Sequence, residues 1–225
     1  MSPSNSHSGN QSSFIGNVFL IEDDTELLES ISEILRFVGY RVYPYSEPEE
    51  FLKHPRDVIP AVIVTDVRMP SMSGVELQTK LLGEGRKIPF VFISGESTVT
   101  QSVVAMKQGA LEFLVKPFSR ESLLAAVSKA IELDMQQMHA LVRQSEFAQK
   151  LAALSPRERQ VFGLLAKGYS NTELMNELGV ALSTVKEYKS EMMYKLRLRS
   201  LSELIALNTA GEIKPAATIP HSLRT

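Results

Sequence analysis

The chain has no cysteine. Disulfides and thiolate metal sites are therefore excluded, and a reducing, cytoplasmic location is permitted. No apolar run is long enough to span a bilayer, and residues 1–16, rich in Ser, Asn and Gly, lack the apolar stretch of a secretory signal. No membrane partner is expected, and the predicted location is the cytoplasm. Internal repeats are absent, as is a strong charge of one sign: the formal net charge is −2 over 225 residues. The small excess hides an asymmetry. Residues 1–153 hold 14 Lys+Arg against 19 Asp+Glu, whereas residues 154–210 hold 8 against 6. An acidic front and a mildly basic back point to different partners, although +2 is too little to argue nucleic acid by itself. Residues 1–16 and the Pro-containing stretch 211–225 read as disordered tails.

Four short apolar runs each end on a polar residue that chemistry can use. Phe19-Leu20-Ile21 precedes Glu22-Asp23, Ala61-Val62-Ile63-Val64 precedes Asp66, Phe90-Val91-Phe92-Ile93 precedes Ser94, and Leu111–Val115 precedes Lys116-Pro117. Such runs, alternating with amphipathic stretches, predict a parallel sheet covered by helices on both faces. Strands are expected at 18–21, 41–45, 61–65, 89–93 and 111–115. Helices are expected from Asp24 or Thr25 to Gly39, from a capping box of Ser46 and Glu49, over 74–82, over 98–108 and over 119–133. Five βα units without a repeat give an α/β, flavodoxin-like, doubly wound (βα)5 domain over 17–133. In that layout the residues leaving the carboxyl ends of the strands share one crevice. Three carboxylates, a hydroxyl and an ammonium there suit a divalent cation and a phosphoryl group. Taken singly, Asp66 reads as a helix cap, Lys116 as a solvated lysine, and Glu22-Asp23-Asp24 as acids favouring a helix start. Their appearance together at four strand ends argues for a site.

Residues 134–153 lack Pro and Gly and predict a helical linker, with Leu133, Met138, Leu141, Phe147 and Leu151 partly sheltered. It either continues the preceding helix as a dimer seam or forms a plain inter-domain helix; the spacing is not a clean heptad, which favours the latter. Ser155-Pro156 with Glu158 predicts a helix start, and that helix stops at Gly168. Asn171 is placed as the cap of a helix to Leu178, Gly179-Val180-Ala181 as a turn, and Ser183 as the start of a third helix. Two helices joined by a glycine turn predict a small all-α helix-turn-helix domain over 154–210. On a helical wheel Val185, Tyr188, Met192 and Leu196 share the inner side. Lys186, Glu187, Ser190 and Tyr194 share the outer side, with Lys189 on the flank.

Glu22-Asp23-Asp24, Thr65-Asp66-Val67-Arg68-Met69-Pro70 with Ser73-Gly74, Ser94-Gly95, Phe113 and Lys116-Pro117-Phe118 together resemble the receiver domain of two-component response regulators. Leu154-Ser155-Pro156-Arg157-Glu158, Gly168, Ser170-Asn171, Glu173-Leu174, Leu178-Gly179-Val180, Ser183-Thr184-Val185-Lys186 and Lys195-Leu196 resemble the LuxR-type DNA-binding domain. The whole resembles a response regulator of the FixJ/NarL type. The resemblance implies that Asp66 accepts a phosphoryl group from a sensor histidine kinase. It implies that Mg²⁺ is held by Glu22, Asp23, Asp66 and the backbone carbonyl of Arg68, and that Lys116 and Ser94 contact the phosphoryl oxygens. Phe113 would turn inward as the switch. Many receivers carry Asp at the position of Glu22, and the extra methylene leaves direct or water-bridged coordination open. Homodimerisation on phosphorylation, double-stranded promoter DNA and RNA polymerase follow as partners. Thr184, Lys186, Glu187, Lys189, Ser190 and Arg199 are the candidate DNA contacts. Where relatives often carry His, Arg and Asn, this chain has Tyr188, Lys189 and Glu191. A rival enzyme, the haloacid-dehalogenase phosphatase, needs a second Asp two positions after the nucleophile. Arg68 stands there, so an enzyme is not expected. The alternative function is a receiver-based interaction module with weak or no DNA binding, suggested by Glu187 and Glu191.

Overall fold

In the computed structural model, residues 14–83, 87–95, 106–107 and 109–209 are described. The expected helix 98–108 and the stretch 211–225 lie largely or wholly outside them. The chain divides into two compact units, residues 1–138 and 139–225.

The first unit is built on five strands: β1 Asn17–Ile21, β2 Arg41–Tyr45, β3 Ala61–Asp66, β4 Phe90–Ser94 and β5 Glu112–Val115. All pairings are parallel, and the order is β2-β1-β3-β4-β5. Every residue of β3 and β4 is buried, as the unbroken apolar runs require of strands covered on both faces. Alternation then builds two cores. Val18, Leu20, Val62, Val64, Val91 and Ile93 pack on one face with Ile31 and Leu35 of α1 (Thr25–Val38). Phe19, Ile21, Ile63, Phe90 and Phe92 pack on the other with Phe51 of α2 (Pro48–Lys53) and Leu77 of α3 (Gly74–Leu81). The strand order reverses between β1 and β3, which places the topological switch point where Glu22 and Asp66 emerge.

Local chemistry explains the helix ends. Asp24 caps α1 by accepting from the N–H groups of Glu26 and Leu27, both at 3.1 Å, and Gly39 closes it at φ 110°. The expected capping box of Ser46 and Glu49 does not form. α2 starts after Glu47 without a side-chain cap, with Pro48 in its first turn, and the Glu49 carboxylate instead accepts from Ser71 Oγ at 2.7 Å. Next to β1, Ile15 N–H donates to Gly39 O at 3.1 Å and the Arg41 guanidinium lies 4.3 Å from the Phe14 ring centroid. The chain just before β1 is thus held to the fold.

The next helix, α4, runs unbroken from Arg120 to Ala152, so the linker continues the last helix of the first unit. Leu141 is exposed, contrary to the shelter expected for it, whereas Phe147 and Leu154 are buried. The second unit contains α5 Pro156–Ala166, α6 Asn171–Leu178, α7 Leu182–Leu196 and α8 Leu201–Thr209. Its core joins Val161 and Leu165 of α5, Leu174 of α6, and Val185, Met192 and Leu196 of α7. Ser155 and Glu158 form the expected capping box. The cap of α6 is Ser170, boxed with Glu173, rather than Asn171; Asn171 is the first helical residue. α7 begins at Leu182, after Ala181. No described helix is long and apolar enough to cross a membrane.

Candidate functional site

The carboxyl ends of β1, β3, β4 and β5 bring five side chains of the first unit to one place. Glu22 leaves β1 and is buried, Asp66 ends β3 and is buried, and Asp23 beside Glu22 is exposed. Ligand oxygens from these three carboxylates lie within 4.8 Å of one another. Lys116, just past β5, ties two of them: its Nζ donates to Asp66 Oδ2 at 2.7 Å and to Glu22 Oε1 and Oε2 at 3.0 and 2.8 Å. The backbone N–H of Arg68 donates to the other Asp66 oxygen at 3.0 Å, which orients the carboxylate.

The electrostatics follow from crowding acids in a dry place. Burial pushes the Glu22 carboxyl up to about 7; the Lys116 hydrogen bond opposes this and the Asp66 charge adds to it. Burial works against the Lys116 ammonium, but its hydrogen bonds to Asp66 and Glu22 win and hold its pKa above the ordinary value. One cation facing two carboxylates, with a third alongside, leaves a site that favours further positive charge. Three oxygen donors with one exposed member fit a small hard ion that keeps part of its water shell.

Ser94 is fully buried, and among the described residues its Oγ has no hydrogen-bond partner. A buried hydroxyl without a partner is costly, and a ligand oxygen arriving in the crevice is the natural acceptor. Phe113 of β5 is half-buried and stacks on Phe92 at 6.1 Å between ring centroids. Gly74 marks another constraint: a Cβ there would collide with the Asp66 carbonyl oxygen. The Ser73–Glu76 capping box fixes the start of α3 at that point. The helix is expected from the sequence without its cap; the pattern Ser-x-x-Glu was the signal that could have found the box.

In the second unit, α6, Gly179 (φ 65°) and α7 form the helix-turn-helix. Val185, Met192 and Leu196 are buried and Tyr188 packs beside them, as the wheel predicts. Lys186, Glu187 and Ser190 are exposed, Thr184 and Lys189 are half-buried, and Tyr194 is 82% exposed. Arg199 is exposed in the turn before α8, and its N–H donates to the Glu203 carboxylate at 2.7 Å. α7 ends at Arg197, held at φ 56° without being glycine, where Leu198 N–H donates to Met193 O at 3.0 Å. Lys195 Nζ reaches the buried Glu158 carboxylate at 2.8 and 2.9 Å and locks α7 to α5. Sequence reasoning found both residues but not their pairing.

Comparison with known proteins agrees with this geometry. Residues 18–128 match the response regulator receiver domain, and residues 152–207 match the luxR family of bacterial regulatory proteins. Response regulator protein TmoT of Ectopseudomonas mendocina is 35% identical over 84% of this chain and 86% of its own. Transcriptional regulatory protein FixJ of Rhizobium meliloti (strain 1021) is 32% identical over 88% and 98%. The solved structure of response regulator StyR is 37% identical, with a TM-score of 0.74 over 86% of this chain and 98% of that one. The chain belongs to the two-component response regulators that join a receiver domain to a LuxR-type DNA-binding domain and regulate transcription.

Proposed function

We propose that this protein is a phosphorylation-dependent transcriptional regulator of the cytoplasm, with Asp66 as phosphoacceptor and a sensor histidine kinase as donor. The observation that carries this reading is the convergence of Asp66, Glu22, Asp23, Lys116 and Ser94 at the carboxyl ends of four strands. An Asp66 oxygen attacks phosphorus, the bond from phosphorus to the kinase histidine nitrogen breaks, and an acyl phosphate forms. Glu22, Asp23, Asp66 and the Arg68 backbone carbonyl would hold Mg²⁺, which would supply positive charge to neutralise the phosphoryl oxygens. Lys116 exchanges a carboxylate partner for a phosphoryl oxygen, and the Ser94 hydroxyl donates to another. Phe113 turns into the space that the Ser94 loop vacates. The new group brings about −1.5 to −2 charge and three acceptors, enough to bias a two-state surface.

The altered receiver then homodimerises, and each copy sets α7 into the major groove of promoter DNA, where the dimer engages RNA polymerase. Lys186 and Glu187 read base edges, Thr184, Lys189 and Arg199 hold the backbone, and Ser190 contacts the DNA from the same outer face. Solution mass and operator affinity, measured before and after treatment with a small phosphodonor, test the coupling. Both are expected to rise, and equal values in the two states overturn it.

The exposed acids Glu187 and Glu191 on α7 favour one second reading, an interaction module with weak DNA binding. A mobility-shift assay against genomic fragments separates the two: no retained fragment in either phosphorylation state selects the second.

A further inference from the structure

At the amino ends of the strands, away from the carboxylates, the first unit holds a cavity of about 500 Å³. That volume lies in the range of small-molecule sites. Its floor is apolar, made by Ile63 of β3, Leu81 of α3 and Phe90 of β4, none more than 8% exposed. The Gln78 carboxamide, 2% exposed, adds a buried polar wall. Among the described lining residues stand two cations, Arg56 and Lys87, one acid, Asp57, and the imidazole of His54. Arg56 Nη1 donates to Leu52 O at 3.2 Å, and its guanidinium lies 5.4 Å from the Phe51 ring centroid, which anchors it at the rim.

We propose that this cavity binds a small organic anion with a flat apolar body. Its acidic group meets Arg56 and Lys87, while its ring lies on Ile63, Leu81 and Phe90. Among the described lining residues cations outnumber acids, which selects the charge, and the floor selects the body.

The position makes such a ligand consequential. Ile63 stands three residues before Asp66 on the same strand. Leu133, which also lines the cavity, precedes Asp134, whose carboxylate accepts the Ala61 N–H at 2.8 Å. A bound molecule therefore touches both sides of the clamp between β3 and α4.

The test uses the full chain and 8-anilinonaphthalene-1-sulfonate as probe, followed by fluorescence and by amide chemical shifts. Saturable one-to-one binding is expected, with shifts centred on Ile63, Gln78, Phe90 and Leu133. Lys87→Glu, at an exposed position where the fold is undisturbed, is expected to weaken binding by about tenfold, as loss of a charge-assisted contact does. The uncharged N-phenyl-1-naphthylamine is expected to bind about tenfold more weakly than the sulfonate. Affinity unchanged by Lys87→Glu, equal affinity for the neutral probe, or shifts centred instead on the exposed Phe37 overturns the proposal.

Discussion

The Asp134 carboxylate on α4 accepts the backbone N–H of Ala61 at 2.8 Å, across 73 residues of chain. Asp134 is 1% exposed, and Ala61 is the first residue of the strand that ends in Asp66. The first N–H of the central strand would otherwise be buried without an acceptor, at a cost comparable to a lost hydrogen bond.

Asp134→Ala is therefore expected to destabilise the first unit by about 1–3 kcal/mol. Asp134→Asn, whose side-chain oxygen still accepts, is expected to cost less. Denaturant unfolding gives the magnitude, and hydrogen exchange at the Ala61 amide gives the location. An unchanged Ala61 exchange rate in Asp134→Ala would show that the bond contributes nothing.

The Glu22 carboxyl, raised to about 7 from 4.5, sets a pH dependence. In the metal-free protein the folded state holds that proton more tightly than the unfolded state. Its stabilising effect is full below 4.5 and fades as pH rises through about 7. On the proposed ligand set Mg²⁺ displaces the same proton, so its affinity is expected to climb through about pH 7 and then level off. Calorimetric titration in buffers of different ionisation enthalpy reads both affinity and proton release. A flat affinity across that range contradicts this account of Glu22.

Much of the fold was legible because it rests on local rules. Unbroken apolar runs gave β3 and β4, and Ser-Pro-x-Glu gave the start of α5. The same rule misled at Ser46, because Pro48 starts α2 one residue later than a Ser46 cap would place it, and Glu49 turns to Ser71. At Asn171 it was applied one residue late, since Ser170 with Glu173 fits the box. The first-unit site was legible because strand ends in a parallel sheet converge by topology. Asp134 with Ala61, and Glu158 with Lys195, were not, since pairs 73 and 37 residues apart leave no periodic trace.

That second pair carries its own consequence. Hydrogen bonds from Lys195 hold the Glu158 carboxyl below its ordinary value, so its contribution is present above the unfolded carboxylate pKa and is lost as pH falls. The Glu158 side chain is 7% exposed and that of Lys195 36%, so solvent screens part of the attraction. Lys195→Met is expected to cost on the order of 1–3 kcal/mol by leaving the buried Glu158 charge without its cation, the Ser155 N–H still donating to it. Exchange protection of amides in α5 and α7 of the full chain measures it; unchanged protection at neutral pH contradicts it.

Glu187 is exposed on the outer face of α7, beside Lys186. A carboxylate there can accept from a cytosine amino group, and on the proposed reading Glu187→Ala is expected to change the preferred base at one position by about 1–3 kcal/mol of discrimination. Loss of Lys189 or Arg199 is expected to weaken all sequences alike and to flatten the salt dependence. Binding-site selection with the wild type and Glu187→Ala decides the matter: identical selected sequences remove Glu187 from the reading set.

The account turns on Asp66. Intact-mass and peptide analysis of the full chain after incubation with Mg²⁺ and acetyl phosphate tests it most directly. One acid-labile phosphoryl group on the Asp66 peptide, absent from Asp66→Asn, is the predicted result. Full labelling of Asp66→Asn, or a phosphoryl group on another residue of the wild type, would contradict it.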